Sequence, residues 1–439
     1  MNQRGILDAL LRAALAAADP GLALRRVVKR NGALLSVRDQ GYDLRAYRRI
    51  LVVGAGKASS VMAGALESVC KGAPIPIEGV VVTKFGHATP TEAVQVMEAR
   101  HPIPDGAGLR ASRSIVTALS RATEEDLVFF LLSGGASALF TLPIGGLSLS
   151  GLQDVTDSLL RAGAPIEELN TVRRKLDRVK GGGASRLAPR STLVTLVLSD
   201  VIGNRLDIIG SGPTITDGAE SGSAAVVLTR FDAWHGLPAP IAERLRAADL
   251  KRAHHSIRSI HAPRQVEIIA DNVAACEATV SEARRLGLHS ALLTTRLRGE
   301  TRDAGRLLGG VLNEIGRSGQ PLPRPCCLVV GGETTVTVRG DGVGGRNQEC
   351  TLAAAQEIAG VPRVQFASFG TDGGDGPTDA AGAVATGTTI QRAEQRGFSA
   401  ESALGRNDSY NFFSALDDLL VTGPTGTNVG DVCILLAHE

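Results

Sequence analysis

Aromatic residues are scarce in this sequence, with one Trp, three Tyr and ten Phe among 439 residues. That scarcity argues against an aromatic-rich binding surface, whereas 52 glycines point to tight turns and close backbone approaches of the kind phosphate loops need. An excess of one charge is also missing. Lys and Arg number 47 against 45 Asp and Glu, which leaves no broad positive field to draw nucleic acid, so an anion must be met locally. Cysteine is limited to six, scattered except for Cys326 and Cys327, which sit in an apolar run and read as small strand hydrophobes, not disulfide partners. No Cys/His cluster at zinc spacing and no G-x-S-x-G elbow occurs, which speaks against zinc enzymes and serine hydrolases. Long apolar runs are absent from the N-terminal region, where Arg4, Arg12, Asp19, Arg25 and Arg26 interrupt the Leu and Ala. Neither a signal segment nor a membrane span is expected there, and cytoplasmic residence follows as the default.

What is present is ordinary globular material, 43% hydrophobic and 21% charged, long enough for two domains of roughly 200 residues. Ile6, Leu7, Leu10, Leu11 and Ala14 repeat at helical spacing. Continuous apolar runs at Arg49–Val53, Gly79–Thr83, Asp126–Leu132 and Thr192–Leu198, several delivered into glycine turns, predict parallel strands covered on both faces. An irregular stretch from about Thr216 to Pro263, with His254-His255 read as surface helix, is expected to carry the crossover. A second α/β pattern begins at Gln265–Ile269 and continues through Ala291–Thr295, Cys327–Val330, Val364–Ser368 and Asp431–Leu436. The expected division is 1–250 and 260–439, with two three-layer α/β domains on mostly parallel sheets.

Six short motifs carry chemistry. Gly54-Ala-Gly-Lys57 sits where a strand meets a helix N-terminus, a place that favours an anion, and Lys57 adds a full charge. It matches neither the phosphate-loop signature nor the dinucleotide fingerprint, and an ordinary tight turn with a solvated lysine fits it equally. Ser133-Gly-Gly135, followed by Ser137, is a small-residue loop at a strand end where ligand atoms can reach the backbone, or a common glycine turn. Asn170-Thr-Val-Arg173 with Lys180-Gly-Gly-Gly183 reads as an anion clamp or as a solvated helix face. Asp200, and the glycine-rich segment around Ser211, follow another strand, and Asp200 is either a magnesium ligand or a helix cap. Gly344-Gly-Arg346-Asn347 places a guanidinium at a glycine-loaded helix start, suited to phosphoryl oxygens, and a surface arginine beside a helix cap fits it equally. Asp372, Asp375 and Asp379 lie in one glycine-rich loop after a strand, either hard oxygen ligands suited to magnesium or a turn held by Asx hydrogen bonds; the spacing rejects an EF-hand. Anion loops together with an acidic loop suit phosphoryl transfer.

Taken in order, these six motifs resemble the class II glycerate 2-kinases over roughly Leu7 to Ala437, and the part from about 325 to 437 resembles the MOFRL domain of that family. The resemblance implies transfer of the γ-phosphoryl group of ATP to the 2-hydroxyl of D-glycerate, with Mg2+ and an active site in an interdomain cleft. The family's essential lysine falls on Lys57 and its essential arginine on Arg346. Substrate and phosphate contacts are then expected from Gly54, Gly56, Ser133, Gly134, Gly135, Ser137, Asn170, Arg173, Lys180, Ser211 and Asn347, and metal contacts from Asp200, Asp372 and Asp375. Lys175, Asp177 and Asn204 depart from the family's usual His, Ser and Asp. The partners implied are D-glycerate and ATP, without nucleic acid or membrane, with a homodimer as the assembly to test. The rival readings are an NAD(P)-dependent hydroxypyruvate reductase, weakened by the missing third glycine after Gly56, and a non-enzymatic sugar-acid sensor.

Overall fold

The computed structural model describes residues 3–216, 222–250 and 262–439; the middle of the expected crossover, His254-His255 included, lies outside them. The chain forms two compact units, and neither is contiguous in sequence. One gathers Ala23–Leu198 and Asn204–Ile269; the other gathers the segment ending at Leu22, Ser199–Gly203 and Ala270–Glu439.

The first unit contains a small antiparallel sheet, β1 (Val28–Asn31), β2 (Leu34–Val37) and β3 (Gln40–Asp43). Its main sheet holds β4 (Arg49–Ala55), β5 (Ile77–Lys84), β6 (Val94–Ala99), β7 (Asp126–Leu132), β8 (Thr192–Leu198) and β9 (Arg264–Ala270), in the order β6-β5-β4-β7-β8-β9. The ladders from β6 across to β8 are all parallel. Every residue of β7 and β8 is buried, which is why their sequences read as unbroken apolar runs instead of alternating ones. The one charge among them, Asp126, opens β7 with a fully buried carboxylate that accepts from Arg48 Nε at 2.9 Å, Arg49 Nε at 2.8 Å and the Thr123 amide at 2.8 Å. Those donors hold its pKa down at about 2 against the pull of burial.

The second unit's sheet holds β10 (His289–Leu297), β11 (Cys326–Gly332), β12 (Val364–Gly370), β13 (Gly382–Thr386), β14 (Leu419–Leu420) and β15 (Asp431–Ala437), in the order β10-β11-β15-β12-β13-β14. Here the expectation of mostly parallel strands needs correction. Only β10–β11 is parallel, because β15 inserts between β11 and β12 in the reverse direction and β13 folds back on β12. Helices Thr301–Ser318 and Arg346–Glu357 pack against each other at close range: a side chain at Gly305 would put its Cβ 2.3 Å from the Cys350 carbonyl oxygen. Residues such as Leu308, Leu312, Val330, Leu352, Phe366 and Leu435 fill the core. All six cysteines are buried and free.

Two expectations about the division change. Gln265–Ile269 does not open the second unit; it lies in β9, the edge strand of the first sheet. The helix Gln3–Ala18 belongs to the second unit, where it packs on helix Asn272–Arg285 and its last residue, Ala18, accepts from Thr427 Oγ1 at 2.6 Å. Periodicity identifies a helix, but it does not say which core buries the apolar stripe. No helix among the described residues is long and apolar enough to cross a membrane.

Candidate active site

In the first sheet the strand order reverses at β4: the chain steps from β4 to β5 and β6 on one side and to β7 and β8 on the other. The crevice outside the carboxyl ends of β4 and β7 is therefore the switch point, where open α/β sheets bind ligands. Two loops meet there and lock each other. The Lys57 amide donates to the Gly134 carbonyl at 2.9 Å, the Ala58 amide to Ser133 Oγ at 3.0 Å, and the Ser133 amide to the Ala55 carbonyl at 3.1 Å. Gly56 adopts φ +134°, and a Cβ there would lie 2.1 Å from Ser133 Oγ. A Cβ at Gly54 would lie 2.4 Å from the Leu131 carbonyl oxygen, so Gly54 serves strand packing.

Lys57 is half-buried and has no ion-pair partner among the described residues. Around it stand groups that the motif reading missed. Lys84 ends β5, His87 follows it, and His101 follows β6. A Cβ at Gly135, which has φ +85°, would sit 3.0 Å from His101 Cδ2 and 3.4 Å from Lys57 Cγ, so lysine and imidazole both border this glycine. Burial, then the charges of Lys57, Lys84 and His87, push the His101 pKa down to about 4. His87 is lowered by burial and by Lys84 and Lys57. The signal that could have found them is positional: each follows the carboxyl end of a parallel strand.

Behind the Ser133 loop a chain of hydroxyls runs from Ser137 Oγ to Ser211 Oγ at 3.0 Å and on to Asn170 Oδ1 at 3.0 Å. Ser137, Arg173 and Lys180 border a cavity of about 470 Å³ whose walls include Pro102, Thr141 and Leu152. Arg173 has a largely desolvated guanidinium whose pKa burial lowers, with only the Asp177 charge working the other way. Lys180 is fully buried; its ammonium donates to the Ser137 carbonyl at 2.9 Å and to the carbonyls of Ala136 and Phe140, and burial lowers its pKa to about 8. Asp177 accepts from the Leu142 amide at 3.1 Å and from Thr141 Oγ1, so this departure from the family pattern clasps two segments together.

The second constellation lies in the other unit. Arg346 begins helix Arg346–Glu357, and Asp431 grips it bidentately, Nε to Oδ2 at 2.6 Å and Nη2 to Oδ1 at 2.9 Å. Glu333 pairs with Nη1 at 3.1 Å. This guanidinium is thus held by two carboxylates, not free at a helix start. Its own pKa is raised by those partners, although burial works against them. Burial raises Glu333 above the usual carboxylate range; Arg346 works against that, and the charges of Asp431, Asp200 and Asp372 add to it. These four acids and Arg346 form one electrostatic cluster in which Glu333 and Asp431 were not anticipated. A cavity of about 670 Å³ bordered by Glu333, Thr335, Gly344, Gly345, Arg346 and Pro377 opens beside it.

Comparison with known proteins places this geometry. The profile described as "Domain of unknown function (DUF4147)" matches residues 6–246 and that of the MOFRL family matches 326–431. A glycerate 2-kinase of Pyrococcus horikoshii is 39% identical over 99% of this chain and 98% of its own, and a D-glycerate 2-kinase of Thermotoga maritima is 41% identical over 88% and 90%. The crystal structure of the Thermotoga maritima glycerate kinase superposes with a TM-score of 0.86 at 36% identity over 99% of both chains. This chain belongs to the class II glycerate 2-kinase family. An Agrobacterium vitis protein bearing a hydroxypyruvate reductase name also aligns, at 36% identity over 99% of this chain and 95% of its own.

Within this glycerate 2-kinase family member, several expected contacts have structural duties instead. Asp375 is buried and accepts from the amides of Asn347 at 3.0 Å and Gln348 at 2.8 Å; it caps the helix that starts at Arg346 and is not presented as a metal ligand. Burial raises its pKa to about 6 against those donors. No three acids, histidines or cysteines among the described residues form a metal cage, Asp200, Asp372 and Asp375 included. Asn347 is buried between Ser368, Asp375 and Asp431 and positions the carboxylate that holds Arg346. Lys180 braces the Ser137 helix, while the hydroxyls of Ser133 and Ser211 tie loops together; Asn170 accepts from Ser211 Oγ, yet its Nδ2 is buried with no partner among the described residues. Lys57, Gly135, Ser137, Asn170 and Arg173 remain.

Proposed function

We propose that this chain transfers the γ-phosphoryl group of ATP to the 2-hydroxyl of D-glycerate, giving 2-phosphoglycerate and ADP. The observation that carries the reading is Lys57, a half-buried cation without a carboxylate partner at the switch point of the first sheet. There it draws charge from the acid or from the phosphates, with Gly134 and Gly135 letting the reactant approach the backbone. Ser137 and Arg173 supply a hydroxyl and a poorly solvated guanidinium for a carboxylate. Arg346 serves the transferring phosphoryl group: Asp431 fixes its plane, and Glu333 is the more exposed partner, the one an incoming phosphate oxygen displaces. The cavity beside Arg346 falls within the size range of nucleotide-sized ligand sites.

Mg2+ would arrive with ATP and neutralise phosphate charge. That needs only one or two protein carboxylates, a requirement that Asp372 and Asp200 meet without a preformed cage. A dinucleotide fits the Lys57 turn poorly, because the Lys57 and Ala58 amides that would meet a pyrophosphate already donate to Gly134 and Ser133. Cytoplasmic residence and a homodimeric assembly belong to the same proposal, checked by fractionation and light scattering.

The deciding experiment measures ADP release with ATP, Mg2+ and D-glycerate and identifies the phosphoglycerate formed, with Lys57→Ala and Arg346→Ala run alongside. Glycerate-dependent ADP release lost in both variants is expected. Hydroxypyruvate-dependent oxidation of NADH or NADPH without ADP release would replace the kinase by a reductase.

A further inference from the structure

We propose that His101 is a catalytic residue: its imidazole accepts a hydrogen bond from the hydroxyl that attacks phosphorus and takes that proton. This rests on the reading that the acid binds at the Lys57 turn. Three observations carry it. The ring is half-buried, yet neither ring nitrogen has a hydrogen-bond partner among the described residues. Its Nε2–Cδ2 edge faces Gly135, with distances of 3.3 and 3.0 Å to the position a Cβ would take there, so it looks onto the loop that Lys57 borders. The charged and titratable neighbours named around it are Lys57 from the β4 turn, Lys84 from the end of β5 and His87 from the next loop, with Glu98 acting on His87 from β6; the Ser133–Gly135 loop contributes no charge.

A ring among these cations stays neutral at physiological pH and keeps a lone pair available, which suits it to receive a hydroxyl hydrogen and not to donate to a carboxylate. A ring nitrogen without a protein donor is open to an incoming one, and a hydroxylated acid supplies it. Entry of the acid and the triphosphate brings negative charge next to Lys57 and Lys84. Their effect on the ring is then offset, and its proton affinity rises toward the working pH, as a general base requires. The step balances without any further reactant. The hydroxyl oxygen bonds to the γ-phosphorus as the bond from phosphorus to the β,γ-bridging oxygen breaks and ADP leaves. The O–H proton passes to His101 Nε2 and reaches solvent when products depart.

The test uses His101→Gln and His101→Ala in the full chain, with ATP, Mg2+ and D-glycerate. The expected result is a fall in kcat of about 10²–10⁴-fold with the KM for ATP little changed, and loss of the acidic limb of the kcat–pH profile. His101→Gln retaining more than about a third of wild-type kcat with the acidic limb intact would overturn the proposal. If these variants fail to fold, NMR titration of the wild-type imidazoles decides. The ring that titrates lowest must shift to higher pH with D-glycerate and ATP, and an unmoved titration overturns the idea. Wild-type protein that releases no glycerate-dependent ADP refutes the parent reading instead, so the two failures are separable.

Discussion

Gly56→Ala probes the joint between the two loops at the switch point. The added Cβ would lie 2.1 Å from Ser133 Oγ and 2.5 Å from the Ser133 carbonyl oxygen, at a residue whose φ is +134°. Carbon–oxygen contacts below about 3 Å are not tolerated in a close-packed interior, so the loops must part by roughly 1 Å. Rotating Ser133 relieves the hydroxyl clash but not the carbonyl one. Backbone strain of about 1–3 kcal/mol and overpacking of a similar size together destabilise the fold by about 2–5 kcal/mol. For a unit of this size that lowers Tm by about 5–15 °C. The same parting disrupts the Lys57–Gly134 and Ala58–Ser133 bonds and carries Lys57 with it, and misplacement of a reacting group by about 1 Å costs on the order of 10²-fold in kcat/KM. Calorimetry and coupled ADP release read both effects on one preparation, and adding Ser133→Ala should recover only part of the loss. Wild-type Tm and kcat/KM in Gly56→Ala would refute the claim that this contact sets the position of Lys57.

Two further outcomes follow from the buried charges. Asp431→Asn leaves Arg346 one neutral acceptor in place of a bidentate carboxylate, and a fall in kcat of about 10–100-fold with intact circular dichroism is expected, measured by steady-state ADP release. Lys180 has a folded-state pKa of about 8, below its unfolded value, so the folded state binds the proton less tightly and stability rises as pH climbs from about 8 to 10.5, by about 3 kcal/mol at most. Denaturant titrations across that window should show the rise in wild type and a flattened profile in Lys180→Met. The variant is also less stable at pH 7, because the carbonyls of Ala136, Ser137 and Phe140 lose their donor.

The strands of the first sheet were legible because burial on both faces writes itself into sequence as unbroken apolar runs, as in β7 and β8. Strand direction in the second sheet was not, since an apolar run such as Asp431–Leu436 reads the same whether its neighbours run with it or against it. Lys57 and Arg346 stood out as candidates because each follows glycines at a helix start. The duties of Lys180 and Asp375 were hidden: a cation beside glycines looks alike whether its ammonium meets a ligand or three backbone carbonyls, and an acid in a turn looks alike as ligand or helix cap. His101, Glu333 and Asp431 gave little motif signal, because what gathers them is the common edge at which their strands end.

The position of β15 has a consequence for how the polypeptide is made. Synthesis delivers this strand after all the others of its sheet, yet it fills the middle, bonded to β11 on one side and β12 on the other. Until it emerges from the ribosome, both neighbours present open edges, and the Gln3–Ala18 helix waits for a partner helix that begins at Asn272. The first sheet, by contrast, has all its strands once Ala270 has been translated. A nascent chain is therefore expected to carry one finished sheet and one unfinished one through much of its synthesis, until Asp431–Ala437 has been translated.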